Sequence, residues 1–226
     1  MTHGHDHGPV SEPGDDIEAE VTSREHWDAR YRTKSSLWSG KPNPTLVSEV
    51  TSLKPGKALE IGAGEGADAI WLARQGWTVT SVDISAVALE RAAAHAAEAG
   101  ADIAERTSWL CEDVLEWQPP VGVYDLVTAH YLHLGPARRR LVYGKLAAAV
   151  GAGGTLLVVA HHPSDLQTTV PRPPYPELFF TGDDLAADIG AGGWEIVTNA
   201  AAPREAKDPD GNVVTIHDTV FRARRA

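Results

Sequence analysis

Cysteine is nearly absent: Cys111 is the only one in 226 residues. No intrachain disulfide can form, and such usage fits a reducing compartment. No apolar run reaches the ~18 residues that a membrane-spanning helix needs, and no signal-peptide pattern is present. Together these absences read as a cytoplasmic protein without a membrane partner. Positive charge is also scarce. Lys and Arg number 20 against 31 Asp and Glu, a formal charge of −11. Phosphate neutralisation dominates nucleic-acid binding, so this balance argues against a nucleic-acid partner. The rest is ordinary for a globular chain, with 42% apolar and 23% charged residues. The length suits one domain with a small appendage, acting as a monomer or homodimer.

Three segments follow from the pattern. Residues 1–20 read as a disordered tail, with His3, His5 and His7 among glycines and then Asp15, Asp16, Glu18 and Glu20. No apolar period supports folding there, and no metal site is assigned to it. Residues 21–56 read as a helical cap. Ser23 is placed to cap a helix from Arg24 to about Arg32, and a second helix is expected from Thr45 to about Leu53. Between them lies the Gly/Pro-rich loop Leu37-Trp-Ser-Gly-Lys-Pro-Asn-Pro44. Trp27, Tyr31 and Trp38 read either as packing or as a lid, with Trp38, Lys41 and Asn43 at its mouth.

Residues 57–226 alternate strand and helix. Strands are expected at 57–61, Thr78–Val82, Thr107–Cys111, Tyr124–Ala129 and, after a Gly-rich turn at 151–154, Thr155–Ala160. Helices are expected at 66–75, Ala86–Ala99 and about Pro136–Val150. That interval means an α/β fold: a parallel sheet with helices on both faces. The end differs. A helix at Thr181–Gly190 is followed by two strands, Trp194–Ala201 and Asn212–Arg222, with Asp208-Pro-Asp-Gly211 as turn chemistry between them. An antiparallel hairpin therefore closes a parallel sheet.

The informative stretch is Ala58-Leu-Glu-Ile-Gly-Ala-Gly-Glu-Gly-Ala-Asp68. A strand runs into glycines at alternate positions and then into a helix, which makes a nucleotide-sized cradle. Glycines let the chain turn tightly and approach a ligand that lies against the helix N-terminus. Two ligand classes fit. Gly62, Gly64 and Ala67 satisfy the dinucleotide pattern of an oxidoreductase. Glu60 with Gly62, Gly64 and Gly66 satisfies the acid-x-G-x-G-x-G pattern of S-adenosylmethionine sites. Asp83 at the end of the second strand serves either reading. Asp113 and the terminal hairpin are unexplained by the first.

From about Arg24 onward the chain resembles the class I S-adenosylmethionine-dependent methyltransferases. The resemblance rests on Glu60-Ile-Gly-Ala-Gly-Glu-Gly66, on the acids Asp83 and Asp113, and on the terminal hairpin. Within the class it is similar to the tellurite-resistance and thiopurine branch, through Trp38-Ser-Gly-Lys-Pro-Asn43, Ala67-Asp-Ala-Ile-Trp-Leu-Ala-Arg74 and Asp208-Pro-Asp-Gly-Asn212. The resemblance implies a Rossmann-like, doubly wound, seven-stranded sheet, mostly parallel with an antiparallel C-terminal strand. It implies methyl transfer from S-adenosyl-L-methionine to a small-molecule acceptor, leaving S-adenosyl-L-homocysteine. It also implies site roles. Gly62, Ala63, Gly64 and Gly66 would pass beneath the methionine part of the cofactor, with Glu60 and Trp38 also among the residues that bind it. Asp83, with Ile84 beside it, would take the ribose hydroxyls. Asp113 and Val114 would meet the adenine, and Ala129 or His130 would face the reactive methyl. Where the tellurite enzymes carry a His-Arg pair and a further Arg for substrate, the matching positions are Glu205, Ala206 and Val213, so those roles are not carried over.

The chemistry asks mainly for proximity and alignment. A thiolate acceptor needs no base; an oxygen or nitrogen acceptor needs a proton acceptor within reach. The candidates lie beyond the fourth and fifth strands, where open α/β sheets bind ligands: His130, His133, His161 and His162, with Tyr131 as a possible hydroxyl. His130 and His133 are the best placed. The acceptor is expected between Trp38, Tyr131, His133 and the Pro-rich loop around Tyr175 and Phe179. Besides the oxidoreductase, a catalytically silent cofactor-binding protein remains an alternative.

Overall fold

A computed structural model describes residues 23–190 and 192–226. The expected tail at 1–20 lies outside the described residues. The elements run α1 (Arg24–Arg32), α2 (Pro44–Val50), β1 (Lys57–Ile61), α3 (Ala67–Arg74), β2 (Thr78–Asp83), α4 (Ala86–Ala99), α5 (Ala101–Arg106) and β3 (Thr107–Cys111). They continue as β4 (Tyr124–His130), α6 (Pro136–Ala149), β5 (Val150–His161), two short 3-10 turns (Pro163–Gln167 and Pro176–Leu178), α7 (Gly182–Ile189), β6 (Trp194–Lys207) and β7 (Val213–Arg225).

One seven-stranded sheet has the order β3-β2-β1-β4-β5-β7-β6. All its pairings are parallel except those of β7, which runs antiparallel to both β5 and β6. The order reverses between β1 and β4, so the C-terminal ends of these strands open a crevice, the usual ligand position in such sheets. Period-two alternation sends side chains to two cores. Leu59, Val127, Leu156 and Phe221 pack under Tyr143 and Leu146 of α6 on one face. Ala58, Leu126, Leu157 and Val220 pack under Leu72 of α3 and Leu46 of α2 on the other. β4 is buried at five of its seven positions, as its apolar run requires.

The cap forms as its signals suggest. Ser23 accepts the His26 amide at 3.2 Å, and Asn43 accepts the Thr45 amide at 2.8 Å to start α2 one residue early. Three boundaries change. The turn expected at 151–154 is strand: β5 begins at Val150, and an ideal Cβ at Gly154 would sit 2.9 Å from the Tyr124 carbonyl oxygen. Those glycines let the strand pass its neighbour closely. α5 was not foreseen, because Gly100 reads as a helix end; it also starts the next helix. The hairpin strands are longer than expected. Asp208 gathers the amides of Asp210 and Asn212 at 3.1 and 2.8 Å, which tightens the turn and lets pairing run from Lys207↔Val213 to Trp194↔Arg225. Among the described residues, no helix is long and apolar enough to cross a membrane.

Candidate active site

The glycine turn leaves β1 with Gly62, Gly64 and Gly66 all at positive φ, +74°, +53° and +83°. Space excludes side chains at two of them. A Cβ on Gly64 would meet the Tyr31 hydroxyl at 2.9 Å, and one on Gly66 would meet the Trp109 ring at 2.7 Å. Gly62 faces open space. The amides of Gly62 and Ala63 donate to the Val82 carbonyl at 2.8 and 3.1 Å, which straps the turn to β2.

Asp83 ends β2 and completes the turn. Its Oδ2 accepts the Gly64 amide and its Oδ1 the Ser85 amide, both at 2.8 Å. Burial raises its pKa against the pull of those two amides. Each carboxylate oxygen keeps a second lone pair for a ligand hydroxyl. The Asp83 carbonyl takes the Glu112 amide at 3.2 Å, which brings the end of β3 alongside. Asp113 there folds into a local turn, its Oδ1 on the Leu115 amide at 2.8 Å, while Val114 packs on the core. Ile84 and Val114 stay partly exposed. Glu60 lies behind the turn, 3% exposed, and accepts the Ser81 hydroxyl at 2.9 Å. Burial, with the charges of Asp68 and Asp83, holds its carboxyl well above the usual carboxylate range.

The cap is tied over this cradle. Glu65 accepts the amides of Leu37 and Trp38 at 3.0 and 3.1 Å and the Arg91 guanidinium at 2.9 Å. Burial opposes its charge, but Arg91 and these amides outweigh that and hold Glu65 below the usual range. The Trp38 indole N–H donates to the Tyr31 hydroxyl at 3.0 Å, and Arg30 lies over the Trp27 and Trp38 rings. Asp28 of α1 accepts the Ser85 hydroxyl at 2.6 Å. Tyr31 is buried and Trp38 is 48% exposed, so the first is the seat and the second the rim.

Beyond β4 the candidates separate. Ala129 has no exposed surface and is part of the core, so its side chain supports the floor of the crevice. Both His130 nitrogens are engaged, Nδ1 with Asp68 and Nε2 with Thr128, each at 2.7 Å. The other Asp68 oxygen takes the Asn43 amide at 2.6 Å. His130 therefore links β4 to α3 and, through Asp68, to the start of α2, with both ring nitrogens hydrogen-bonded within the chain. Tyr131 has φ +53°, the only positive φ outside glycine among the described residues. Its amide donates to the Val159 carbonyl at 2.7 Å and its hydroxyl to Asp218 Oδ2 at 2.9 Å. Burial and the Asp218 charge keep that hydroxyl protonated. Arg204 donates to the same Asp218 oxygen at 2.7 Å. The His133 ring lies 5.4 Å from that of His161, which also meets the rings of Tyr131 and Phe179 at 4.8 and 6.1 Å. His162 turns away to Ser164.

Sequence reasoning missed Glu65, Asp68, Arg91, Arg172 and Asp218. Glu65 stands inside the glycine motif and Asp68 one residue after Ala67, so both were adjacent to a visible signal. The others are placed only by contacts 26 or more residues apart, or by a loop without periodicity.

Residues 58–154 match the family described as a methyltransferase domain. The chain is 27% identical over 204 residues to a protein named "Probable thiol methyltransferase 2" of Arabidopsis thaliana, covering 86% of this chain and 88% of that one. Among solved structures, one titled "Conversion of a Disulfide Bond into a Thioacetal Group during Echinomycin Biosynthesis" superposes with TM-score 0.70 at 25% identity, over 89% of this chain and 92% of the other. TehB from Haemophilus influenzae superposes with TM-score 0.66 at 20% identity, over 90% of this chain and 67% of that one, which speaks for the fold alone. Residues 58–154 thus carry a methyltransferase domain, and with the glycine turn, the paired acids and the seven-stranded order in place, the chain is similar to the class I S-adenosylmethionine-dependent methyltransferases.

Proposed function

We propose that this protein transfers a methyl group from S-adenosylmethionine to a small-molecule acceptor. The observation that carries the reading is the convergence at one sheet edge of a three-glycine turn, acids ending β2 and following β3, and a ring-lined wall beyond β4 and β5. The residues fit the cofactor. Gly62 faces open space for its amino-acid part, and Ala63, Gly64 and Gly66 shape the turn. Asp83 and Ile84 suit the ribose, and Asp113 and Val114 the base, while Trp38 and Tyr31 close the top. When bound, the cofactor supplies a methyl on a positively charged sulfur, a good leaving group.

The chain's own work is to hold, align and exclude water. Glu60 stays behind the turn as a buried strut that accepts the Ser81 hydroxyl. His130 acts as a positioning residue through Asp68. Tyr131 fixes Asp218. Of the three proposed catalytic residues, His133 alone keeps a buried ring nitrogen without a protein partner. A sulfur acceptor is the favoured second-level reading, because the thiol methyltransferase relative and the echinomycin structure are both titled for sulfur chemistry.

Calorimetric titration with S-adenosylmethionine, S-adenosylhomocysteine and NADH tests the proposal. Micromolar binding of both adenosyl ligands and none of NADH is expected. Binding of NADH alone would return the dinucleotide oxidoreductase. Adenosyl binding without transfer to any acceptor would return the silent cofactor-binding protein.

A further inference from the structure

Five buried side-chain polar atoms among the described residues have no hydrogen-bond partner. One is the Tyr143 hydroxyl, within the core beside Phe180. The other four are His133 Nε2, His161 Nδ1, Arg172 Nε and Asp218 Oδ1, and they share one neighbourhood. His161 Nδ1 is 3.9 Å from Asp218 Oδ1, the His133 and His161 rings are 5.4 Å apart, and the charge of Arg172 acts on His133. His161 Nδ1 and Asp218 Oδ1 face each other, which leaves His133 Nε2 and Arg172 Nε as the two atoms with no partner in the chain. Buried polar groups are nearly always paired, so these two mark a site whose partner comes from outside the chain.

The frame around them is built. Arg172 Nη2 donates to Asp165 Oδ2 at 2.6 Å, and Asp165, 0% exposed, spends its other oxygen on the His217 amide at 2.7 Å. This holds the guanidinium while leaving its Nε–H unused. Tyr131 keeps its costly φ because its amide and hydroxyl are both pinned, a pattern common at functional sites. Arg172 is paired with Asp165 and Arg204 with Asp218, which also faces His161 and accepts the Tyr131 hydroxyl; the charges acting on His133 are those of Arg172 and of the more distant Arg30, both positive.

We propose that Arg172 and His133 anchor the methyl acceptor, and that this acceptor is acidic, bound with its nucleophilic group as an anion. The inference rests on the methyltransferase reading above. The positive charge acting on His133 favours such a group and opposes an ammonium. Burial, with His161, Arg172 and Arg30, pushes His133 down to about 4, too weak a base to strip an alcohol. With an anion none is needed: its electron pair forms the bond to the methyl carbon, the carbon–sulfur pair returns to sulfur, and the acceptor's proton has already gone to solvent.

The test sets thiophenol and benzoate, ionised at neutral pH, against aniline and benzyl alcohol. Methyl transfer is measured with wild-type protein, and binding of each compound is measured calorimetrically on the protein saturated with S-adenosylhomocysteine. Binding and turnover confined to the ionised pair are expected, and which of the two is methylated distinguishes a sulfur from a carboxylate nucleophile. Arg172→Gln should raise KM for the ionised acceptor tenfold to about a hundredfold, as loss of a hydrogen bond to a charged group does, with cofactor affinity unchanged. Transfer to aniline or benzyl alcohol as fast as to the ionised pair, or failure of the ionised pair to bind, overturns the proposal while leaving the methyltransferase reading intact. If Arg172→Gln melts at assay temperature, the wild-type comparison decides alone. Failure of S-adenosylhomocysteine to bind overturns both.

Discussion

The two halves of the crevice treat their polar groups in opposite ways. In the proposed cofactor half, the carboxylates are committed to the chain's own backbone: Asp83 to Gly64 and Ser85, Glu65 to Leu37 and Trp38, Asp113 to Leu115. In the proposed acceptor half, His133 Nε2 and Arg172 Nε are buried without a partner, while His161 Nδ1 and Asp218 Oδ1 only face each other at 3.9 Å. The first half is a shape held ready, its glycine turn braced before any ligand arrives. The second is a set of unmet hydrogen bonds, which costs stability and defines what must be bound. Preorganisation for a common cofactor and unmet demand for a particular acceptor are different physical means of recognition.

The strongest way to break the contrast is Asp83→Ala. It leaves the buried amides of Gly64 and Ser85 without acceptors, so the braced half should lose both shape and ligand. A loss of roughly 2–4 kcal/mol is expected in urea unfolding, together with loss of micromolar S-adenosylhomocysteine binding by calorimetry. Retained affinity would show that the brace is not needed.

A smaller effect sharpens the contrast from the other side. His133 in the folded chain is pushed down to about 4 from its ordinary 6.5. Between those values the unfolded chain binds the proton and the folded chain does not. Its contribution to stability is therefore complete above about pH 6.5 and is lost as pH falls towards 4. The loss should be on the order of 2 kcal/mol. Chemical unfolding across that range should show the slope in wild type and a shallower one in His133→Gln.

The smallest expected effect is at Glu60. A carboxyl held well above its usual range resembles an amide, and Ser81 can donate to either. Glu60→Gln should change stability by less than about 1 kcal/mol at acid pH, where the carboxyl is protonated in the folded and the unfolded chain alike. A raised pKa means that wild type loses stability as pH rises from the ordinary value of 4.5 through the folded one, so the variant should gain relative to wild type over that range. A large loss at neutral pH would mean that Glu60 works as a charge.

Legibility followed the same division. Ser23, Asn43, the glycine turn and the alternation of elements are local patterns, and their helices and strands stand within a few residues of where they were expected. Gly154 misled because glycine serves a turn and a close strand crossing equally well. His130 reads in sequence as a free histidine after a strand. Only Asp68, 62 residues away, reveals that its ring is already occupied.

The sequence by itself determined the α/β alternation and the cradle, because a left-handed glycine turn between a strand and a helix is written in consecutive residues. Only the tertiary structure decided which polar atoms are satisfied and which are left over. Arg172, Asp165 and His217 meet across 7 and 52 residues, and Tyr131, Arg204 and Asp218 across 87 and 14. Whether a buried donor or acceptor has a partner depends on every segment that packs around it, and no local stretch of chain contains that information.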